Sequence, residues 1–178
     1  MKVDVLISGS TLVATKIEYT TLDAPADAEA NVTSAGASSF ELLGPGGVTI
    51  TANAKTQWQD KSSANVSHMG FADLRLGDHV QVDGNQVNDS VILATKIVRT
   101  RPNPAIVVAG KAWSVAAPDL SVLDLAIRTD GATAFIDELG NAMSAATFFA
   151  KAAGHGVSVA AMRGADGALV ATAIRLDD

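Results

Sequence analysis

Residues 12–17 read LVATKI, residues 92–97 read ILATKI and residues 169–174 read LVATAI. A six-residue phrase written three times in 178 residues is the mark of an internally repeated chain. Each occurrence follows an alternating apolar stretch and a polar turn, so each predicts the returning strand of a short hairpin. In the first, Val3, Val5 and Ile7 alternate with polar neighbours, and Ser8-Gly9-Ser10 is the expected turn.

Working outward from the second and third occurrences, a single shift of 77 residues carries one segment onto the other. Val48 falls on Leu125, Ile50 on Ile127, Thr56 on Thr133, Trp58 on Phe135 and Phe71 on Phe148. Gly77 falls on Gly154, Val80 on Val157, Val82 on Val159 and Ile97 on Ile174. One register held without insertion from Val48 to Ile97 argues duplication.

Each full unit reads strand, strand, strand, short helix, strand, strand. Gly44-Pro45-Gly46-Gly47 predicts a turn, since neither helix nor strand interiors accept that run. The spacing predicts a short helix over residues 67–76, with Ser67 as N-cap and Gly77 as stop, and a clearer one over 144–153, stopped by Gly154. The division expected is an orphan hairpin at 1–20, a linker at 21–30, one repeat at 31–100 and a second at 104–178, separated by Arg101-Pro102-Asn103-Pro104. Alternating strands of this length leave an apolar face that a flat five-stranded sheet cannot cover. Closing the sheet into a small barrel, with the helix plugging one end, removes that problem and the open edges. The expected fold is therefore mostly β: tandem five-stranded OB-like barrels, each with one short helix between strands 3 and 4, plus an extra N-terminal hairpin.

With F-x-L at residues 40–42, V-x-I at 48–50, T-x-W at 56–58, L-G-D-x-V-x-V-x-G at 76–84 and I-L-A-T-K-I at 92–97, the sequence resembles a bacterial family of OB-fold repeats, the domain of unknown function 5666 group. The resemblance covers residues 40–99 and 120–176. It departs where Gly154-His155-Gly156 stands for Gly77-Asp78-His79 and where Ala161 stands for Gly84. It implies exported or cell-envelope proteins, periplasmic, outer-membrane-associated or secreted, often lipid-anchored by a segment outside this chain. It brings no catalytic residue with it.

Composition narrows the function classes. There is no cysteine, so disulfides, thiolate metal sites and cysteine nucleophiles are excluded. The net charge is −6 and the only basic cluster is Lys96, Arg99 and Arg101, so nucleic acid is not an expected partner. No apolar run reaches a membrane-spanning length, and Lys2, Asp4 and Ser8 interrupt the one stretch that could have been a signal peptide. The three histidines, His68, His79 and His155, do not fall on one another under the repeat shift, so they read as surface or turn residues and not as ligands of a repeated metal site. Asp130, Asp137 and Glu138, and Asp60, Asp73 and Asp78, form acidic clusters without calcium-loop spacing. No G-x-S-x-G elbow or phosphate loop occurs.

No catalytic residue, cofactor or metal is expected. Among eight aromatic residues, Trp58 and Phe135 are repeat equivalents; with Lys96 and Arg99 they are the candidate ligand face for oligosaccharide or single-stranded nucleic acid. The ordinary alternative is that both aromatics fill a barrel end beside Phe71 and Phe148. The function expected is a non-enzymatic tandem binding or scaffold module of the bacterial envelope or exterior, or a structural subunit of a surface polymer. The orphan hairpin has three readings: the chain is a piece of a longer tandem array, the hairpin packs on a complete barrel, or residues 1–20 take strands from a protein partner or a second copy.

Overall fold

The computed structural model describes the backbone of β1 (Lys2–Ser8) and β2 (Thr11–Glu18) and all of residues 24–177. β1 and β2 pair antiparallel as a two-stranded sheet of their own. How their side chains pack lies outside the described residues.

The first unit holds β3 (Ala24–Ala35), β4 (Ser39–Leu42), β5 (Val48–Thr51), β6 (Gln57–Asp60), β7 (His79–Asn88) and β8 (Val91–Thr100). The second holds β9 (Ile106–Ala116), β10 (Asp119–Val122), β11 (Leu125–Arg128), β12 (Ala134–Ile136), α1 (Ala145–Lys151), β13 (Gly156–Arg163) and β14 (Leu169–Asp177). In the first, β3 pairs β4, β4 pairs β5, β5 runs parallel to β8, β8 pairs β7, and β7 returns to β3. The second closes the same way through β9, β10, β11, β14 and β13. Both are five-stranded OB-like barrels, and closure pairs most of the ladder edges that a flat sheet would leave open. The interiors are Val, Ile, Leu and Ala at alternate positions, with Phe40, Phe148, Ile97 and Ile174 among the most buried.

The recurring phrase has a structural meaning that its letters did not disclose. Opposite it, the ladder slips between Asp83 and Gly84, because Asp83 faces Lys96 and Gly84 faces Ala94. Thr95 is therefore the extra residue of a β-bulge. The same slip leaves Thr172 extra in β14, and Thr15 extra in β2. The Thr95 hydroxyl donates to the Asp83 carbonyl at 3.0 Å, and Thr172 to Ala160 at 3.1 Å. A bulge adds local twist, which a barrel of so few strands needs to close.

Two expectations are corrected. Residues 24–30 are not linker but the first half of β3, a 12-residue strand. Ala26, Ala28, Ala30 and Val32 point inward and Asp27, Glu29 and Asn31 outward, an alternation hidden by alanine's weak strand preference. Residues 67–76 hold only a 3-10 turn, Phe71–Asp73, where the second unit has α1. Gly70 costs the helix about 1 kcal/mol relative to alanine, and Asp73 accepts the Gly70 amide across the turn. In α1, Ser144 does cap, accepting the Thr147 amide at 3.1 Å. The third strand of the unit is itself broken: β5 ends at Thr51 and β6 resumes at Gln57, again parallel to β8.

The two barrels join through their first strands. Asp27 faces Ala109, Ala28 faces Val108 and Glu29 faces Val107, antiparallel. Before the β4–β5 turn the unit equivalence is 80 residues, because that turn has five residues, Leu43 to Gly47, and its counterpart has two, Leu123 and Asp124. Ala28 thus sits opposite its own copy, Val108, and the seam has pseudo-twofold symmetry. Arg163 adds a clasp, donating to the Leu43 carbonyl of the other barrel at 2.6 Å.

Candidate functional site

The T-x-W and T-x-F motifs are two staples of the same design. Thr56 donates to the Ala94 carbonyl at 2.7 Å and accepts the Asn53 amide. Thr133 donates to Ala171 at 2.8 Å and accepts the Asp130 amide. Each threonine ties the break in the third strand to the bulged strand. The aromatic two residues on then turns inward: Trp58 packs edge-on against Phe71 at 4.9 Å, and Phe135 lies 5.2 Å from Phe148. Trp58 is half-buried and Phe135 is 7% exposed. The two aromatics therefore pack at the barrel ends, and Phe135 also borders a hollow of about 470 Å³ with Pro118 and Phe149.

Arg99 is not on a ligand face either; it is 5% exposed and is held from three sides. Its Nε and Nη2 grip both oxygens of Asp60 at 3.2 and 2.6 Å, and Nη1 reaches the Asp73 carbonyl at 2.8 Å and Asp78 at 3.2 Å. A two-pronged guanidinium–carboxylate contact is the strong form of such a pair. Arg99 first, and then the Ser62 and Val66 amides, hold the Asp60 carboxyl far below the usual carboxylate range against the cost of burial. The register β6–β8 places Gln57 beside Lys96 and Asp60 beside Arg99, so Trp58, Lys96 and Arg99 share one strand pair while Phe135 lies in the other barrel. In the second unit Arg99 becomes buried Leu176 and Asp60 becomes Asp137. Asp137, considered in the sequence as half of an acid pair, instead organises its own turn through the Asn141 and Leu139 amides, which hold its carboxyl below the ordinary value.

His79 is corrected from a surface residue to one of the most buried polar groups, 1% exposed. Its Nε2 lies 2.9 Å from Glu29 Oε1 and its Nδ1 2.9 Å from Asn31 Oδ1. A neutral ring donating from Nε2 to the carboxylate needs the Asn31 amide turned to present its NH2; an imidazolium donates to both as placed. Gln81 also donates to Glu29. The second unit has Ala109, Lys111 and Gly156 at these positions, so this polar triad is private to the first. Every buried side-chain nitrogen and oxygen among the described residues has a partner. These groups are spent on structure.

Hollows flank the seam. One, about 520 Å³, is lined by Asp27, Lys111, His155, Arg175 and Asp177 among others. Burial first, and then Asp83 directly across the ladder, raise the Asp27 carboxyl above its ordinary value. A second, about 460 Å³, holds Leu43, Ile106 and Met162 at the opposite end of the β3–β9 pairing. A third, about 380 Å³, is lined by Asp89, Trp113, Ser114, Ser121 and Asp124. The sequence reading gave Trp113 no role. The signal was available only through the 80-residue equivalence, which puts this large indole where the first unit has Thr33.

Among the described residues no helix is long and apolar enough to cross a membrane, and no group of three or more acidic, histidine or cysteine side chains is placed to hold a metal ion. Comparison with curated proteins and with solved structures finds no match. The sequence pattern described as Domain of unknown function (DUF5666) matches twice, over residues 29–98 and 109–175. Those two segments coincide with the two barrels and take in both staples and both bulges, and on that footing the chain belongs to the DUF5666 family, which it carries as a tandem pair.

Proposed function

We propose that the chain is a non-enzymatic binding and scaffold module of the bacterial envelope or cell exterior. The observation that carries the reading is how the two copies have diverged. The apolar skeleton, threonine staples and bulges recur, whereas the Arg99–Asp60 and His79–Glu29 groups occur once and are consumed by internal bonds. Repeated catalysis would keep a reactive constellation; repeated structure keeps a frame. The seam between β3 and β9 makes that frame one continuous 12-stranded sheet with exposed hollows on its flanks, which suits presentation of surfaces. The N-terminal hairpin is the segment through which a protein partner or second copy would attach, because two strands alone are marginal in water.

Two measurements test the reading. Antibody detection in fractionated producing cells should find the protein in the envelope or the medium; confinement to the cytosol would end the location. Incubation of the purified chain with chromogenic ester and glycoside panels should give no turnover. Hydrolysis that disappears in Asp137→Asn or Glu138→Gln would show that an enzyme had been mistaken for a frame.

A further inference from the structure

We propose that the cleft around Trp113 is a binding subsite for a neutral oligosaccharide. Trp113 is 39% exposed, the only exposed tryptophan among the described residues. It stands on β9 across from Ser121 on β10. Asp89, from the β7–β8 turn of the other barrel, and Asp124, from the β10–β11 turn, complete the wall with Ser114. The Lys111 ammonium lies over the indole, 4.8 Å from its centre, a contact that steadies the ring. Carbohydrate recognition needs this combination. An aromatic plane takes the C–H face of a sugar, while carboxylates and hydroxyls take its O–H groups. The two carboxylates repel a phosphate backbone, so a nucleic-acid strand fits less well despite the indole.

Comparison of the copies shows that the indole replaces a residue with a different task. In the first unit Thr33 occupies the equivalent position and stitches the strand, donating to the Glu41 carbonyl at 3.1 Å and accepting the Gly44 amide at 2.9 Å. That threonine is the bulge residue itself, since the ladder slips between Val32 and Ser34. In the second unit the stitch is gone, the following turn is three residues shorter, and the slip has moved to lie beyond Trp113. Ser114 then takes φ +47, and Leu123 and Asp124 take +52 and +61. Two of the five non-glycine residues with positive φ among those described, Ser114 and Asp124, therefore line this one cleft, and buried Leu123 adjoins it in the same two-residue turn. Side chains rarely accept that conformation, and bulges that re-aim a side chain collect beside binding sites. No hydrogen bond within the protein engages the side chains of Asp89, Ser114, Ser121 or Asp124 among the described residues, so their polar groups are available to a ligand.

The inference rests on the binding-module reading for its setting, and its test separates the two. Trp58→Phe copies the residue of the second unit at that position and leaves Trp113 as the sole indole. In that background, full-length protein is titrated with maltohexaose, cellohexaose, laminarihexaose and chitohexaose while the indole emission is followed. At least one should give a saturable change, and isothermal titration of the chain with Trp58 intact should reproduce the affinity. Trp113→Ala should weaken that affinity at least tenfold, Trp113→Phe less, and Asp124→Asn twofold or more, with unchanged circular dichroism. The proposal is overturned if none of the four sugars binds, if Trp113→Ala binds within twofold of the parent, or if a dodecathymidylate binds more tightly than every sugar. Any of these leaves envelope location and absence of turnover, the tests of the broader reading, untouched.

Discussion

At the scale of single residues, the two copies differ by a buried arginine exchanged for leucine, with the facing acid kept but turned to its own loop. Arg99 and Asp60 in the first barrel stand where Leu176 and Asp137 stand in the second. Removing one member of a buried pair strands the other, at a cost of about 3–5 kcal/mol, whereas replacing both is often close to neutral. Arg99→Leu should therefore lower the denaturation free energy by about that amount, and Asp60→Asn added to it, by removing the stranded charge, should restore part of the loss. Equal losses in the single and double variants would show that Arg99 acts through packing alone. The acid limb follows from the same contact. Asp60 is held far below its ordinary value of 3.8, so the folded chain binds its proton later than the unfolded chain does. The stability it contributes is fully present above about pH 4 and drains away as the pH falls toward the folded value. Stability measured between pH 4 and pH 2 should fall less steeply in the double variant; parallel curves would remove Asp60 from the account. The acids at Asp60, Asp73 and Asp78 were visible in the sequence as a cluster, but their partner was not. An arginine near a strand end reads as solvated, and Asp60 and Asp78 lie 39 and 21 residues from it.

At the scale of elements, the bulge that the repeated phrase encodes depends on what faces it. A Cβ built on Gly84 would come within 2.5 Å of the Leu93 carbonyl and 2.6 Å of Ile92 Cγ2. The second unit carries Ala161 there and Leu169 in place of Ile92. Leucine has no γ2 methyl, so part of the space the alanine needs is free. Gly84→Ala should cost about 1–3 kcal/mol by overpacking, read as a shift in denaturant midpoint, and Ile92→Leu in the same chain should recover part of it. No recovery would place the whole conflict on the backbone carbonyl. Barrel, strand order and turn positions were legible because alternation and glycine placement are local signals. The bulge was not, because it is a property of two strands at once. β3 escaped for a different reason: three of its four inward residues are alanines, whose weak strand preference hides the alternation.

At the scale of the molecule, the question is whether two barrels behave as one. The β3–β9 ladder places Ala28 and Val108, both fully buried in their own interiors, on adjacent strands of a single sheet. Arg163 reaches across to Leu43 as well. Each unit is about 75 residues, a size at which one core supplies only a few kcal/mol, so losing the neighbour removes a large share of each unit's stability. Cooperative unfolding is then expected. The chain carries its own reporters, since Trp58 belongs to the first barrel and Trp113 to the second. Trp113→Phe leaves only the first reporter and Trp58→Phe only the second. Urea titrations of these two variants should give superimposable transitions, and Gly84→Ala, in the first barrel's β7–β8 ladder, should move both midpoints together. If the Trp113 transition stays in place while the Trp58 transition moves, the seam carries no energetic coupling. Its pseudo-twofold symmetry would then be a relic of duplication with no part in holding the frame.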